Sequence, residues 1–352
     1  MKKVRSPKNG VVTLQQVADH VGLSAGTVSA VLNDSPAAKA IPTRTKDRIL
    51  TAARELNYRP NFFARTLRNK RTFTVGVITE EIGDPYGGMV ISGIEAALSA
   101  RKYFFLAVVH RHNAELLKQY TGILLARGVE GFITVDTSLT EIPALPTVAV
   151  AGHRPMKGVT NIALDHMHAA RVVLKHLTEL GHKRIAFLRG QPFSSDSADR
   201  WHSICEAAGE FDITVHPELT VRLMADDSSP NLGYHATSEL LDKGRKFTAL
   251  FAYNDISAIG AIRAIRERGL GVPEDVSVVG FDDIREAAYY LPSLTTVRQP
   301  LRKMGETAAH TLVDRLEGSV NYPSHIAIEP ELVVRESTSR VAKLESHSKQ
   351  TT

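Results

Sequence analysis

From Phe73 onward the chain repeats one pattern: a short, nearly unbroken apolar run, then a longer stretch with helical spacing. The runs are VGVI (75–78), YFFLAVV (103–109), GFITV (131–135), TVAV (147–150), RIAFL (184–188), ALFA (249–252) and VSVVGF (276–281). Between most of them lie helical patterns at 88–101, 114–127, 167–180, 232–243 and 256–268. A strand with one wet face alternates apolar and polar residues. These runs do not, so both faces must be covered, which is the condition of a parallel sheet flanked by helices. Seven or more strands over about 270 residues fit two such subdomains better than one sheet.

The first 72 residues have another texture. They hold 14 basic side chains against four acidic ones, a net charge of +10 within a chain whose total is +5. The other 280 residues therefore carry −5. Such asymmetry points to a polyanionic partner for the basic segment, with a solvated basic tail as the plain alternative. The basic opening MKKVRSPKNG leads into TLQQVADHVG and not into an apolar segment, so no secretory signal is expected. No apolar run approaches the roughly 18 residues of a membrane span. The single cysteine, Cys205, leaves no internal disulfide framework, and a reducing, cytoplasmic setting is expected.

Three short helices are expected in this segment. Thr13 caps the first, with Leu14, Val17, Ala18 and Val21 on one face, and Gly22 ends it. Ser24 caps a second, which carries Val28, Val31 and Leu32. After the turn-like NDSPAAKAIP, a third runs from about Thr43 to Arg59-Pro60. A tight turn between the first two is the signature of a helix-turn-helix, whose second helix lies in the major groove. Its N-terminus and the hydroxyls of Ser24, Thr27 and Ser29 can donate to phosphate. An ordinary three-helix bundle is the alternative. The basic stretch NFFARTLRNKR (61–71) follows, too short to be a stable helix alone.

Residues 13–339 resemble a LacI/GalR-family transcriptional regulator. The resemblance is carried by TLQQVADHVGLSAGTVSAVLN (13–33), RTKDRILTAARELNYRPNFFARTLR (44–68) and ELGHKRIAFLRG (179–190). It continues in AYNDISAIGAIRAIRERGLGVPEDVSVVGFDD (252–283), PSLTTVRQPLRKMGETA (292–308) and PELVVREST (330–338). The family implies an α/β chain with a small all-α helix-turn-helix headpiece (1–60), a hinge helix or linker (61–72) and a periplasmic-binding-protein-like core (73–340). The core would comprise two doubly wound parallel-sheet subdomains, about 73–163 with 294–321 and about 164–293 with 322–340, before a polar tail at 341–352. Chain crossings between the subdomains are expected near 163, 293 and 322.

The resemblance implies a repressor that binds double-stranded operator DNA as a homodimer, with the surface near Tyr86–Ala97 facing the partner. DNA contacts would fall at Thr13, Ser24, Ala25, Gly26, Thr27, Ser29, Ala30, Asn33, Tyr58, Asn61, Ala64, Arg65, Leu67 and Arg68. Leu67 would wedge between base steps of the minor groove while Arg65 and Arg68 neutralise phosphate. A plain basic linker is the alternative. Relatives often carry large polar side chains at the positions of Ala25 and Gly26, and an arginine at that of Ala30. Here such side chains are absent, which leaves methyl contacts from Ala25 and Ala30, and the loop at 33–41 is longer than the family pattern.

A small effector, a sugar or sugar derivative, would lie between the subdomains at the C-terminal ends of the strands. Its contacts would be Asp84, Tyr86, Asp165, Arg200, Asn254, Asp255 and Asp282. Carboxylates accept from paired hydroxyls and a guanidinium donates in a fork, so an arginine with aspartates suits a polyhydroxylated ligand. For Asp165 a helix cap is an equal alternative, and for Asp255 a cap or an inter-subdomain contact. His110 with His112 and His166 with His168 have the spacing of one strand face, but no third ligand stands near, so no metal site is expected. No cofactor and no catalytic residues are expected: the chain has no Gly-x-Ser-x-Gly, no phosphate-loop lysine and no His-Glu-x-x-His. A solute-binding protein or a sugar-processing enzyme of the same core fold are the rival classes.

Overall fold

The computed structural model describes residues 12–59, 71–139, 141, 144–152, 154–194, 196–225, 227, 229–318 and 323–341. The chain forms two compact units that divide between Thr72 and Phe73.

The first unit contains α1 (Leu14–Val21), α2 (Ala25–Leu32), a 3-10 turn (Pro36–Ala40) and α3 (Thr43–Glu55). Thr13 opens α1 through a capping box: the Gln16 N–H donates to Thr13 Oγ1 at 3.3 Å, and the Thr13 N–H to Gln16 Oε1 at 2.8 Å. Gly22 ends α1 at φ 68°, a left-handed conformation that a Cβ would penalise. The Ser24 hydroxyl then accepts from the Thr27 N–H at 3.1 Å and starts α2. Val17, Ala18, Val21, Val28, Val31, Ile49, Ala52 and Ala53 close into one buried cluster. Arg48 of α3 donates to Val21 O at 2.9 Å and satisfies a carbonyl that the end of α1 leaves open.

The second unit runs β1 (Thr74–Thr79), α4 (Pro85–Ala100), β2 (Phe104–Val109), α5 (Ala114–Ala126), β3 (Gly131–Val135), β4 (Thr147–Val150), β5 (Val159–Leu164) and α6 (His166–Glu179). It continues with β6 (Ile185–Arg189), α7 (Ser197–Glu210), β7 (Thr220–Arg222), α8 (Asn231–Asp242), β8 (Ala249–Phe251) and α9 (Asp255–Glu267). Last come β9 (Ser277–Asp282), β10 (Thr295–Arg298), α10 (Leu301–Leu316), β11 (His325–Ile328) and β12 (Glu331–Val333). Two six-stranded sheets result, in the orders β11-β5-β4-β3-β1-β2 and β12-β10-β9-β8-β6-β7. All pairings are parallel except β10 with β12. Every residue of β1, β3, β4, β8 and β9 is buried, as strands covered on both faces require. In the first subdomain α4 and α10 meet backbone to backbone: a Cβ on Gly93 would lie 2.0 Å from Arg302 O, and one on Gly305 2.0 Å from Val90 O.

The chain passes between the sheets at Asp165, at Gln299–Pro300 and at Glu329–Pro330. The first is close to the expected 163. The other two correct the expected 293 and 322: β10 belongs to the second sheet and β11 to the first. Both displacements have one cause. β10 reads TTVR and β11 HIAI, and neither shows an apolar run. Thr295 and Thr296 are nevertheless fully buried, because their hydroxyls are bonded, Thr296 to Asp255 and Thr295 to Arg335 O.

Candidate functional site

Two surfaces hold the residues singled out above. On the headpiece, Ser24 and Gly26 of the α2 start are exposed, and the Ser24 and Thr27 hydroxyls lie 2.9 Å apart. Thr27 and Ser29 are half-buried. Asn33 closes the helix, its Nδ2 donating to Ser29 O at 2.7 Å. Lys39, Arg44, Arg48, Arg54 and Arg59 of the headpiece are also exposed.

Two positions depart from expectation. Ala30 is only 9 % exposed, so it is not part of an outward small face. The 3-10 turn folds back on α2, with the Ser35 N–H donating to Ala30 O at 3.0 Å, and a small residue lets it approach. Ala25 is half-buried and packs against the headpiece core, as does Tyr58. The open face of α2 is therefore Ser24 and Gly26, flanked by Thr27 and Ser29. Asn61, Ala64, Arg65, Leu67 and Arg68 lie outside the described residues.

In the second unit a cavity of about 120 Å³ opens between the two sheets at the C-terminal ends of their strands. The loop after β1 supplies Glu80, Glu81 and Asp84, the first turn of α4 supplies Tyr86, and the loop after β3 supplies Asp136. The second subdomain supplies Gln191, Phe193, Ser194, Asp196, Arg200, Asp227, Tyr253, Asn254 and Asp282. Asp84 caps α4, accepting from the Gly87 N–H at 2.6 Å. Burial raises its pKa to about 6, against that hydrogen bond and with help from Glu81 and Asp136. Burial also pushes the Tyr86 and Tyr253 phenols up, so both remain hydrogen-bond donors. The Tyr253 ring sits over Gly190, where a Cβ would come within 2.3 Å of it. Its hydroxyl lies 2.5 Å from Ser194 Oγ.

Arg200 is 5 % exposed and firmly held. Nη1 donates to Tyr253 O at 2.6 Å, Nη2 is 3.7 Å from Asp196 Oδ2, and the guanidinium lies 3.7 Å from the centroid of the Phe281 ring. Its Nε meets no acceptor among the described residues. Asp282 has φ 113°, an uncommon conformation for an aspartate. Gln299 Nε2 donates to its Oδ1 at 2.5 Å. Burial raises the carboxyl to about 7, although Arg200 and Gln299 pull it down.

Asp84, Tyr86, Arg200, Asn254 and Asp282 thus converge on one cavity. Asp165 and Asp255 do not line it. Asp165 caps α6, accepting from the His168 N–H at 2.9 Å. Asp255 is fully buried inside the second subdomain, where Thr296 Oγ1 at 2.5 Å and the Ile284 N–H at 2.9 Å occupy its oxygens. The cap of α9 is Asn254, whose side chain accepts from the Ser257 N–H. Sequence reasoning missed Asp136, Asp196, Phe193 and Tyr253. Asp136 and Tyr253 follow β3 and β8 within two residues, a position that marks ligand contacts in open α/β sheets. Of the first histidine pair, His110 bonds Thr137, while His112 bonds Glu80 and lies 4.2 Å from the Phe193 ring, behind two residues of the cavity wall. No metal-binding group is present among the described residues, and no helix among them is long and apolar enough to cross a membrane.

Known proteins match both units. The pattern described as bacterial regulatory proteins, lacI family, matches residues 13–61, and that of a periplasmic binding protein-like domain matches residues 174–338. The HTH-type transcriptional repressor PurR of Haemophilus influenzae is 31% identical over 343 residues, covering 94% of this chain and 100% of that protein. PurR of Yersinia pestis bv. Antiqua is also 31% identical, with 93% and 97% covered. Among solved structures, the lac repressor dimer bound to operator and the anti-inducer ONPF superposes with a TM-score of 0.84 at 28% identity, covering 94% of this chain and 99% of that one. The complex of the transcriptional regulator CelR with cellobiose gives 0.68 at 29% identity, covering 93% and 99%.

Proposed function

The chain belongs to the lacI family of bacterial regulatory proteins and is a DNA-binding transcriptional repressor, and on that premise we propose that a sugar or sugar derivative in the cleft controls its hold on operator DNA. The observation that carries the ligand class is the convergence of Asp84 and Asp282 from opposite subdomains on one cavity with Arg200. Carboxylates accept from vicinal hydroxyls, the arginine Nε donates to an oxygen, and Tyr86, Phe193 and Tyr253 add aromatic surface to the lining. The CelR complex with cellobiose supports the same class.

The DNA-bound form is a homodimer, as in the lac repressor structure, and it places two α2 helices on a pseudopalindromic operator. Ser24, Gly26, Thr27 and Ser29 approach the groove, Thr13 and the exposed arginines meet phosphate, and Leu67 wedges the minor groove. A ligand acts by binding one arrangement of the two subdomains better than another.

The test joins the two surfaces. An operator is selected from random duplexes with full-length protein, and its affinity is measured across salt and across a panel of sugars. Binding that weakens steeply with salt and is changed by a sugar is the expected result. A sugar that binds the cleft without altering operator affinity would refute its role as the effector.

A further inference from the structure

The cavity wall carries one sign of charge. Glu81, Asp84 and Asp136 face it from the first subdomain, and Asp196, Asp227 and Asp282 from the second. Among the described residues lining it, Arg200 is the one arginine or lysine. That cation is already committed to Tyr253 O, Asp196 and the Phe281 ring. Nη1 is spent on a carbonyl and Nη2 faces Asp196, so a phosphate or carboxylate would have to compete with a resident carboxylate for this arginine, while Nε meets no acceptor among the described residues. At two of the helix starts near the cavity a side chain of the protein already takes an N–H: Asp84 that of Gly87 in α4, and Asn254 that of Ser257 in α9.

Resting on the reading of this cleft as the effector site, we infer that it selects by charge: it takes a polyhydroxylated molecule bearing a protonated amine and refuses phosphorylated or carboxylated counterparts. An ammonium supplies three donors and no acceptor, which suits a wall of acceptors. Asp84 and Asp282 stand on opposite subdomains, and Asp84 makes Asp282 harder to ionise. A cation held between them removes that repulsion and draws the two halves of the cleft together. Arg200 Nε meets a ring or hydroxyl oxygen of the same molecule. A neutral sugar satisfies the hydroxyl contacts but leaves the like charges facing each other.

The experiment titrates full-length protein at pH 7.5 with D-glucose, D-glucosamine, D-glucuronate and D-glucose 6-phosphate by calorimetry. Tris and its uncharged counterpart pentaerythritol are compared by thermal shift at equal ionic strength, so that one arm does not depend on the ring. Glucosamine is expected to bind at least about 10-fold tighter than glucose, since one charge pair a few ångströms apart supplies that much even when partly solvated. The two anions should give no binding, and Tris should stabilise more than pentaerythritol. Asp84→Asn, which keeps the cap, should bring the glucosamine-to-glucose ratio close to one. Binding of either anion as tight as that of glucosamine overturns the charge rule, and so does a ratio unmoved in both Asp84→Asn and Asp282→Asn. Failure of every probe, charged and uncharged, overturns instead the reading of the cleft as a site for polyhydroxylated effectors.

Discussion

Replacing Asp282 by asparagine should make the unliganded protein more stable and less able to respond. The carboxyl is 7 % exposed, and burial lifts it from 3.8 to about 7. Between those values the folded chain holds a proton that the unfolded chain has lost, so stability falls as pH rises through that window. Above pH 7 the ionised group costs on the order of 4 kcal/mol relative to the unfolded chain. Asparagine removes that cost. It keeps the acceptor for Gln299 Nε2, and it tolerates a positive φ better than most residues. Melting curves of the two proteins should coincide near pH 4, separate as pH rises and reach a constant gap above pH 7. For a unit of this size the gap corresponds to a rise on the order of 10 °C in Tm. The change in operator affinity that the effector causes should be lost in the same variant. A variant that melts lower than wild type at pH 8, or by the same margin at pH 4 and pH 8, would refute the assignment of the strain to a buried carboxylate.

Further outcomes follow from the headpiece and the core. Gly26→Arg should change which operator is selected from random duplexes, because Gly26 is exposed on the open face of α2. Ala30→Arg should instead lower headpiece stability by about 2 kcal/mol, since Ala30 is buried beneath the 3-10 turn; an unchanged melting point with a new operator preference would reverse that assignment. Leu67→Ala should weaken specific operator binding far more than non-specific binding, and equal loss in both gel-shift series would sink the wedge role. Gly93→Ala should lower the urea midpoint by an amount worth about 1–3 kcal/mol or more, because its Cβ meets the backbone carbonyl of Arg302; an unmoved midpoint would show that α4 and α10 part without cost.

The legibility of this chain follows how each segment meets its burial. GFITV and TVAV are strands at the residues their apolar runs span, because both faces are covered and nothing polar interrupts them. β10 escapes the same reasoning because its buried residues are threonines whose partners, Asp255 and Arg335, lie about 40 residues away in sequence. Asp255 and Asp282 illustrate the limit at the site. Both sit beside a strand end, and the sequence offers no way to see that Thr296 and Ile284 consume one carboxylate while the cavity receives the other. Ala30 was equally opaque: small residues suit a groove-facing surface and a close backbone approach alike, and only the returning turn decides between them.

The same distant pairings make the second subdomain's side of the cleft a braced wall and not a loop. β10 runs from the sheet straight into the crossing at Gln299–Pro300. Along that path Thr296 bonds Asp255 and Gln299 bonds Asp282, while Arg298 and Arg335 both hold Asp283, itself at φ 54°. Two consecutive aspartates in unfavourable backbone conformations are thus kept in place by the strand that leads to the other subdomain. The cavity edge and the crossing cannot shift independently without breaking bonds that leave buried polar groups open, at about 1–3 kcal/mol each. A ligand changes an equilibrium only through contacts that differ between its states. A compliant wall would follow the ligand and absorb that difference locally. A wall bonded to the crossing passes it on, which is the mechanical requirement for a small molecule in the cleft to act beyond the cleft itself.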